Sequence, residues 1–379
     1  MKTNGPILSF SRRGFGRALA VAVLVLMPLT PSFAQDWKTE RAQLVAAAQK
    51  EGTLVLFSQP NLSARTYLAN EWAKAFPEIK LSITATSGAE INGRMRVERQ
   101  TQKYLWDIVM TGANIGYEMA KDGFLDPVMP ELRDPEVNKP EYWGGWDRVF
   151  VDFGKKYVFS PNVALKSPVY NALKLPREKV DKAGLQILFD PDLKGKIYWH
   201  DPGVPGPGAQ FAFYLARRLG DDGLRKFITE QKPVFMAEQG QVIEALARGT
   251  AWLGLGPGNS HALMDPYVKA GVPVDVKKFG NSPDLNDVTL GGSTFFVVKD
   301  RPHPAATRLF INWLLSKDVQ YGFAAATEQS SRRVDVASTA DADSVPVPGA
   351  RYVAPQEEEY DAALNKDVAL VTEIRKLLH

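Results

Sequence analysis

The chain has 379 residues, of which 45% are hydrophobic and 23% charged, an ordinary globular composition long enough for two compact lobes. It contains no cysteine, which excludes disulfides, thiol nucleophiles and cysteine-ligated metals. Setting aside the four positive residues of the leader, Lys2, Arg12, Arg13 and Arg17, takes the formal charge from +3 to −1, so nucleic acid and anionic membrane are not expected partners.

In the leader, Ser11-Arg12-Arg13-Gly14-Phe15 resembles the twin-arginine export motif. An apolar run over 18–29 and a small-residue site, Ser32-Phe33-Ala34, follow it. Residues 1–34 therefore read as a signal peptide cleaved after Ala34, leaving a mature chain from Gln35 in a bacterial periplasm. A membrane anchor fits less well, because the run is shorter than the ~20 residues a spanning helix needs and Pro28 and Pro31 interrupt its end.

Beyond the leader, the apolar spacing predicts an amphipathic helix over 36–50 with Gly52 past its end. TLVLF at 53–57 reads as a strand buried on both faces, and the polar turn Ser58-Gln59-Pro60-Asn61 leads into a helix over 63–76. A second strand at 79–84 ends in Thr86-Ser87-Gly88 before a helix over 91–102. A third at 106–110 ends in Thr111-Gly112-Ala113-Asn114 before a helix over 115–121. The acidic, proline-rich segment 126–145 reads as a surface excursion, and extended runs at 149–153 and 156–159 carry the chain towards a second lobe that begins at Pro161-Asn162.

That lobe centres on KIYWHDPGVPGPGAQ, residues 196–210: a short buried strand, a turn of alternating proline and glycine, and a helix with Phe211, Leu215 and Leu219 at helical spacing and Gly220 at its C-cap. Such a unit offers free backbone N–H groups at a helix N-terminus, a seat for a small anion. Two further strands, at 233–236 and 251–255, end in Ala237-Glu238-Gln239 and Gly256-Pro257-Gly258-Asn259-Ser260, each with a helix beyond. Return strands are expected at 274–279 and 293–298, helices at 305–315 and 319–326, a linker at 339–348 and a charged amphipathic helix at 357–378. In an open α/β sheet such turns lie at the carboxyl edge of the strands. Six of them, three from each half, would line a single cleft.

Together these segments give an α/β fold of two doubly wound lobes with a ligand cleft between them. The first lobe takes 35–150 and 287–335, the second 156–280, and 336–379 form a linker and C-terminal helix. Lys50-Glu51-Gly52 before TLVLFS, the Phe76-Pro77 break and Trp106-Asp107-Ile108-Val109 carry a family resemblance. So do FDPDLKGKIYWHDP at 189–202 and GGSTFFVVKDRPHPAATRLFINWLLSKDVQ at 291–320. In order and spacing they resemble the extracellular solute-binding proteins of ABC importers, of the periplasmic-binding-protein type II fold, in the branch of the ferric-ion-binding proteins. The resemblance implies closure on a small ligand, docking on an inner-membrane permease, a monomer, no resident cofactor and no enzymatic activity. In iron-binding members an adjacent tyrosine pair in the second lobe holds the metal. Here the corresponding turn reads Gly256-Pro257-Gly258-Asn259-Ser260-His261, without that pair.

The site is accordingly expected from neutral donors suited to a carboxylate, phosphonate or similar oxyanion. Ser58, Gln59, Ser87, Gly88, Thr111 and Asn114 would come from the first lobe, and Trp199, His200, Gly208, Gln210, Gln239, Asn259 and Ser260 from the second, with Ser293 beside Gly292 near the hinge. Each polar residue also fits a helix cap or solvated turn. Trp199 or Tyr198 would wall an organic ligand, and His200 ranks as a donor, then a turn residue, then a metal ligand. Arg332-Arg333 fits a solvated surface pair or, less well, a contact to an anionic ligand at the hinge. Ferric transport and ligand presentation to a membrane sensor are the alternative functions. No G-x-S-x-G elbow, H-E-x-x-H or P-loop points to an enzyme.

Overall fold

The computed structural model describes residues 33–204, 207–257, 260–340, 344–347 and 350–376. The export motif, the apolar run after it and Asn259 lie outside these residues. In chain order the first part supplies α1 (Phe33–Glu51), β1 (Thr53–Ser58), α2 (Leu62–Ala75), β2 (Lys80–Ala85), α3 (Gly88–Gln100), β3 (Ile108–Met110), α4 (Ala113–Lys121), β4 (Leu125–Asp126) and α5 (Pro140–Trp143). The middle supplies β5 (Asn162–Lys166), β6 (Val169–Asn171), α6 (Arg177–Ala183), β7 (Ile197–His200), α7 (Pro207–Gln231), β8 (Val234–Met236), α8 (Gln239–Ala247), β9 (Leu253–Leu255), α9 (Ser260–Lys269) and β10 (Val276–Lys278). Then come β11 (Asp287–Thr289), β12 (Phe295–Val298), α10 (Pro304–Leu314), α11 (Lys317–Thr327), β13 (Ser330–Ser331) and α12 (Asp361–Lys376).

Two five-stranded sheets result, ordered β2-β1-β3-β12-β4 and β10-β6-β9-β7-β8, joined by a three-stranded sheet ordered β11-β5-β13. In the first, β1 pairs in parallel with β2 and β3 while β12 runs antiparallel. In the second, β7 is parallel to β8 and β9. Side-chain alternation explains why β1 needs cover on both faces. Leu54 and Leu56 pack among Trp72 and Phe310, whereas Phe57 packs among Ile91, Met95 and Ile115.

Three local expectations are corrected. Segment 126–145 is no surface excursion, because Val128, Leu132, Val137 and Trp143 are buried in the first lobe's core. The runs at 149–153 and 156–159 stay with the first sheet, since Phe159 bridges both Phe150 and Phe295. The strand near 274–279 does not return to the first lobe: β10 pairs with β6, and the return is made by β11, which the sequence reading missed. The C-terminal helix α12 settles on α7, placing Leu370, Val371 and Ile374 among Leu224 and Phe227. No described helix is long and apolar enough to cross a membrane.

Candidate functional site

Six strand-to-helix turns, β1–α2, β2–α3, β3–α4, β7–α7, β8–α8 and β9–α9, occupy the carboxyl ends of the parallel strands. In the first lobe they are knitted together by close approach. Gln59 Nε2 donates to Thr111 Oγ1 at 3.2 Å, and a Cβ on Gly292 would run into the Gln59 carboxamide. A Cβ on Gly88 would lie 2.7 Å from Ile115 Cγ1 and 3.0 Å from Thr111 Oγ1. Glycine at these two positions lets the β2–α3 turn and the post-β11 turn reach the rim. Asn61 caps α2 by accepting from Ala64 N, and Ser87 caps α3 by accepting from Glu90 N.

In the second lobe the organising group is His200, 3% exposed at the end of β7. Gly208 N–H donates to its Nδ1 at 3.1 Å, and the ring also hydrogen-bonds the backbone of Ala237. One imidazole thus ties the turns after β7 and β8 together. Burial, and then the charge of Lys166, lower its pKa, so the ring is neutral. Its rank as a ligand donor is corrected to that of a turn organiser, because the ring is buried and its Nδ1 already accepts from Gly208 N–H. Gly208 has no room for a Cβ against the His200 carbonyl, and a Cβ on Gly256, at φ 93°, would lie 3.0 Å from His200 Cβ and 3.3 Å from the Gly208 backbone.

Several expected ligand contacts prove to be scaffold. Trp199 is fully buried, its Nε1 donates to Gly208 O at 3.2 Å, and its ring packs on Phe235, so it cannot wall the cleft. Gly208 spends its N–H on His200. The buried Ser58 and Ser293 hydroxyls donate to Gln59 O and Leu290 O. Thr111 is buried and engaged by Gln59. Asn114 is exposed on the first turn of α4, Gln210 lies on the first turn of α7 with Oε1 buried and unpartnered among the described residues, and Gln239 opens α8. Ser260 opens α9. Arg333, expected as half of a solvated pair, is buried and paired with Asp335, and also donates to Glu136 O and Leu315 O.

Sequence reasoning missed the crossing strand. Lys166 on β5 stands opposite Asp287 of β11 and is 7% exposed. Asp287 is taken up by Arg217 and Arg218, and among the described residues Lys166 has no carboxylate within 4 Å and no hydrogen-bond acceptor. Its ammonium lies 5.1 Å from the ring of Phe211, on the first turn of α7. Burial lowers its pKa to about 7 against the opposing pull of Asp287. Asn162, on the same face of β5, is fully buried with both amide atoms unpartnered among the described residues. The one available signal was NVALK itself, polar at both ends of one strand face.

Residues 58–321 match the family described as bacterial extracellular solute-binding protein. No curated protein matches the chain. Among solved structures, iron-bound HitA from Pseudomonas aeruginosa is 16% identical with a TM-score of 0.61, over 85% of this chain and 99% of that one. Trichodesmium FutA in complex with iron and citrate gives 16% and 0.60 over 85% and 99%. The substrate-binding protein of an ABC transporter from Agrobacterium tumefaciens gives 18% and 0.58 over 86% and 94%. At these identities the likeness is one of fold.

Proposed function

The chain belongs to the bacterial extracellular solute-binding proteins, and from that premise we propose that it captures a small organic or oxyanionic solute in the cleft and delivers it to an inner-membrane ABC permease. The protein is exported by the twin-arginine route, matures at Gln35, works as a periplasmic monomer and performs no chemistry on its cargo. The observation that supports an anionic ligand is Lys166, a buried amine without an anion, placed beside the α7 N-terminus and the glycine turn that His200 braces. Gln210 Oε1 supplies an unused acceptor in the same turn of helix. Gln239 adds a contact from the neighbouring β8–α8 turn, and Gln59 and Asn114 complete the contacts from the facing turns.

Ferric iron is the second reading, favoured by the iron-bound fold relatives. Tyrosine chemistry weighs against it. The hydroxyls of Tyr67, Tyr117, Tyr214 and Tyr352 donate to backbone carbonyls, and burial raises Tyr67 to about 12 and pushes Tyr117 and Tyr214 further up. Phenolate ligation by any of these four would have to break its hydrogen bond, and for the first three also overcome that shift.

A thermal-shift screen of the mature chain against ferric citrate and small carboxylates, phosphonates and sulfonates separates the two. Saturation at a hundredfold Kd adds about 2.7 kcal/mol. The anion reading expects a shift with an iron-free anion that Lys166→Met abolishes. A shift with ferric citrate alone, accompanied by a visible absorption band, would overturn it.

A further inference from the structure

We propose a second anion site, behind the crossing strands, that takes a small di- or tricarboxylate. A cavity of about 770 Å³ lies against Val163 of β5 and Val288 of β11, on the strand face opposite the one that carries Lys166. That volume is within the range of small-molecule pockets, roughly 300–1,000 Å³.

Arg332 lines it with a side chain only 8% exposed. Among the described residues its Nη1 is buried without a hydrogen-bond partner, and the one carboxylate within 4 Å, that of Glu357, stands 3.8 Å from Nη2. That distance is beyond hydrogen-bond reach, and burial raises the Glu357 pKa, which weakens it as a counter-charge. Asp152, on the same wall, is committed to the backbone N–H groups of Lys156 and Val158. Arg148 and Arg351 also line the cavity, and their side chains make no hydrogen bond or ion pair among the described residues. Lys155 and the carboxylates of Asp147 and Glu359 share the lining, so the cavity as a whole is charge-balanced, and the anion-binding feature is local: the buried Arg332 fork, answered by Glu357 alone at 3.8 Å, with the guanidinium groups of Arg148 and Arg351 on the same cavity. A guanidinium fork matches a carboxylate with two parallel hydrogen bonds, and the valine floor suits a short carbon chain.

The cavity also has a mechanical setting. Its floor is the pair of crossing strands, and its far wall is the chain segment that leads into α12 on the second lobe. An occupant touches the first lobe and both crossing strands that form the hinge, so it favours one arrangement of those strands and alters the affinity of the cleft.

The site stands independently of the cleft reading, and one experiment keeps them apart. Iron-free citrate is titrated calorimetrically into the mature wild-type protein and into Arg332→Met, Arg351→Met and Lys166→Met. The expected result is a citrate site that weakens on the order of tenfold in both arginine variants and persists in Lys166→Met, where any citrate held in the cleft is lost. Should Arg332→Met fail to fold by circular dichroism, Arg351→Met, at an exposed position, decides alone. No heat of binding in the wild type at about millimolar citrate, unchanged binding in Arg351→Met, or loss of all binding in Lys166→Met would each overturn the proposal.

Discussion

A lysine held out of water, with no carboxylate within 4 Å among the described residues, gives this protein a pH dependence above neutrality. Burial lowers Lys166 from its ordinary 10.5 to about 7. Between those values the unfolded chain binds a proton that the folded chain does not, so stability rises with pH across that window and is lowest beneath it. Affinity for an anion runs the other way and strengthens as pH falls through about 7, because the ligand requires the charged amine. Lys166→Met should flatten both slopes. Denaturant unfolding and ligand titration at about pH 6 and about pH 9 read them directly, and wild-type slopes in the variant would refute the assignment. Two glycines make a second comparison. Gly208→Ala drives a Cβ into the His200 carbonyl and should cost about 3 kcal/mol while abolishing ligand binding. Gly240, inside α8 with open space where a Cβ would go, should gain about 0.5–1 kcal/mol on substitution by alanine. Equal melting temperatures for the two variants would contradict the packing described at the β7–α7 turn.

At the scale of elements, α12 is a clasp on the candidate site. Its Arg375 holds Asp201, the first residue of the glycine turn, through both carboxylate oxygens at 2.7 Å and stacks 4.2 Å from the Phe235 ring. The two side chains are 31% and 21% exposed, so screening limits the pair. Arg375→Gln should cost about 1 kcal/mol in chemical denaturation and weaken ligand binding through the loosened turn. Lost stability with unchanged affinity would confine α12 to a packing role. This clasp was invisible in the sequence, where 357–378 showed only an amphipathic helix without a destination. What could be read was whatever carries its own periodicity. TLVLF announced a strand covered on both faces, Ser87 and Asn61 stand at helix starts, and Gly220, expected as a C-cap, instead breaks α7 at an internal kink with φ 70°. The first lobe's segment 126–145 was misjudged because Val128, Leu132, Val137 and Trp143 are buried by irregular backbone with no repeat. Lys166 escaped notice for a different reason. Its burial follows from the pairing of β5 with β11, a three-residue strand more than a hundred positions away.

The molecule as a whole is tied across its two lobes more than once. β5 carries the chain over and β11 carries it back. The C-terminal segment then anchors on the first lobe, where Tyr117 Oη donates to Gln356 O and Glu358 accepts from Phe153 N, before α12 lies down on α7 of the second. The turns proposed to hold the ligand belong to both lobes: Gln59 and Asn114 follow β1 and β3, whereas Gln210 and Lys166 sit at α7 and the crossing strand. A solute gripped from both sides should slow the opening of both lobes at once, since releasing either sheet would break contacts to the bound ligand. Hydrogen exchange with the saturating anion from the screen is therefore expected to gain protection in β1 and β3 and equally in β7 and β9. Lys166→Met should lose both gains together. Protection confined to one sheet would mean that a single lobe holds the ligand and that closure contributes nothing to its capture.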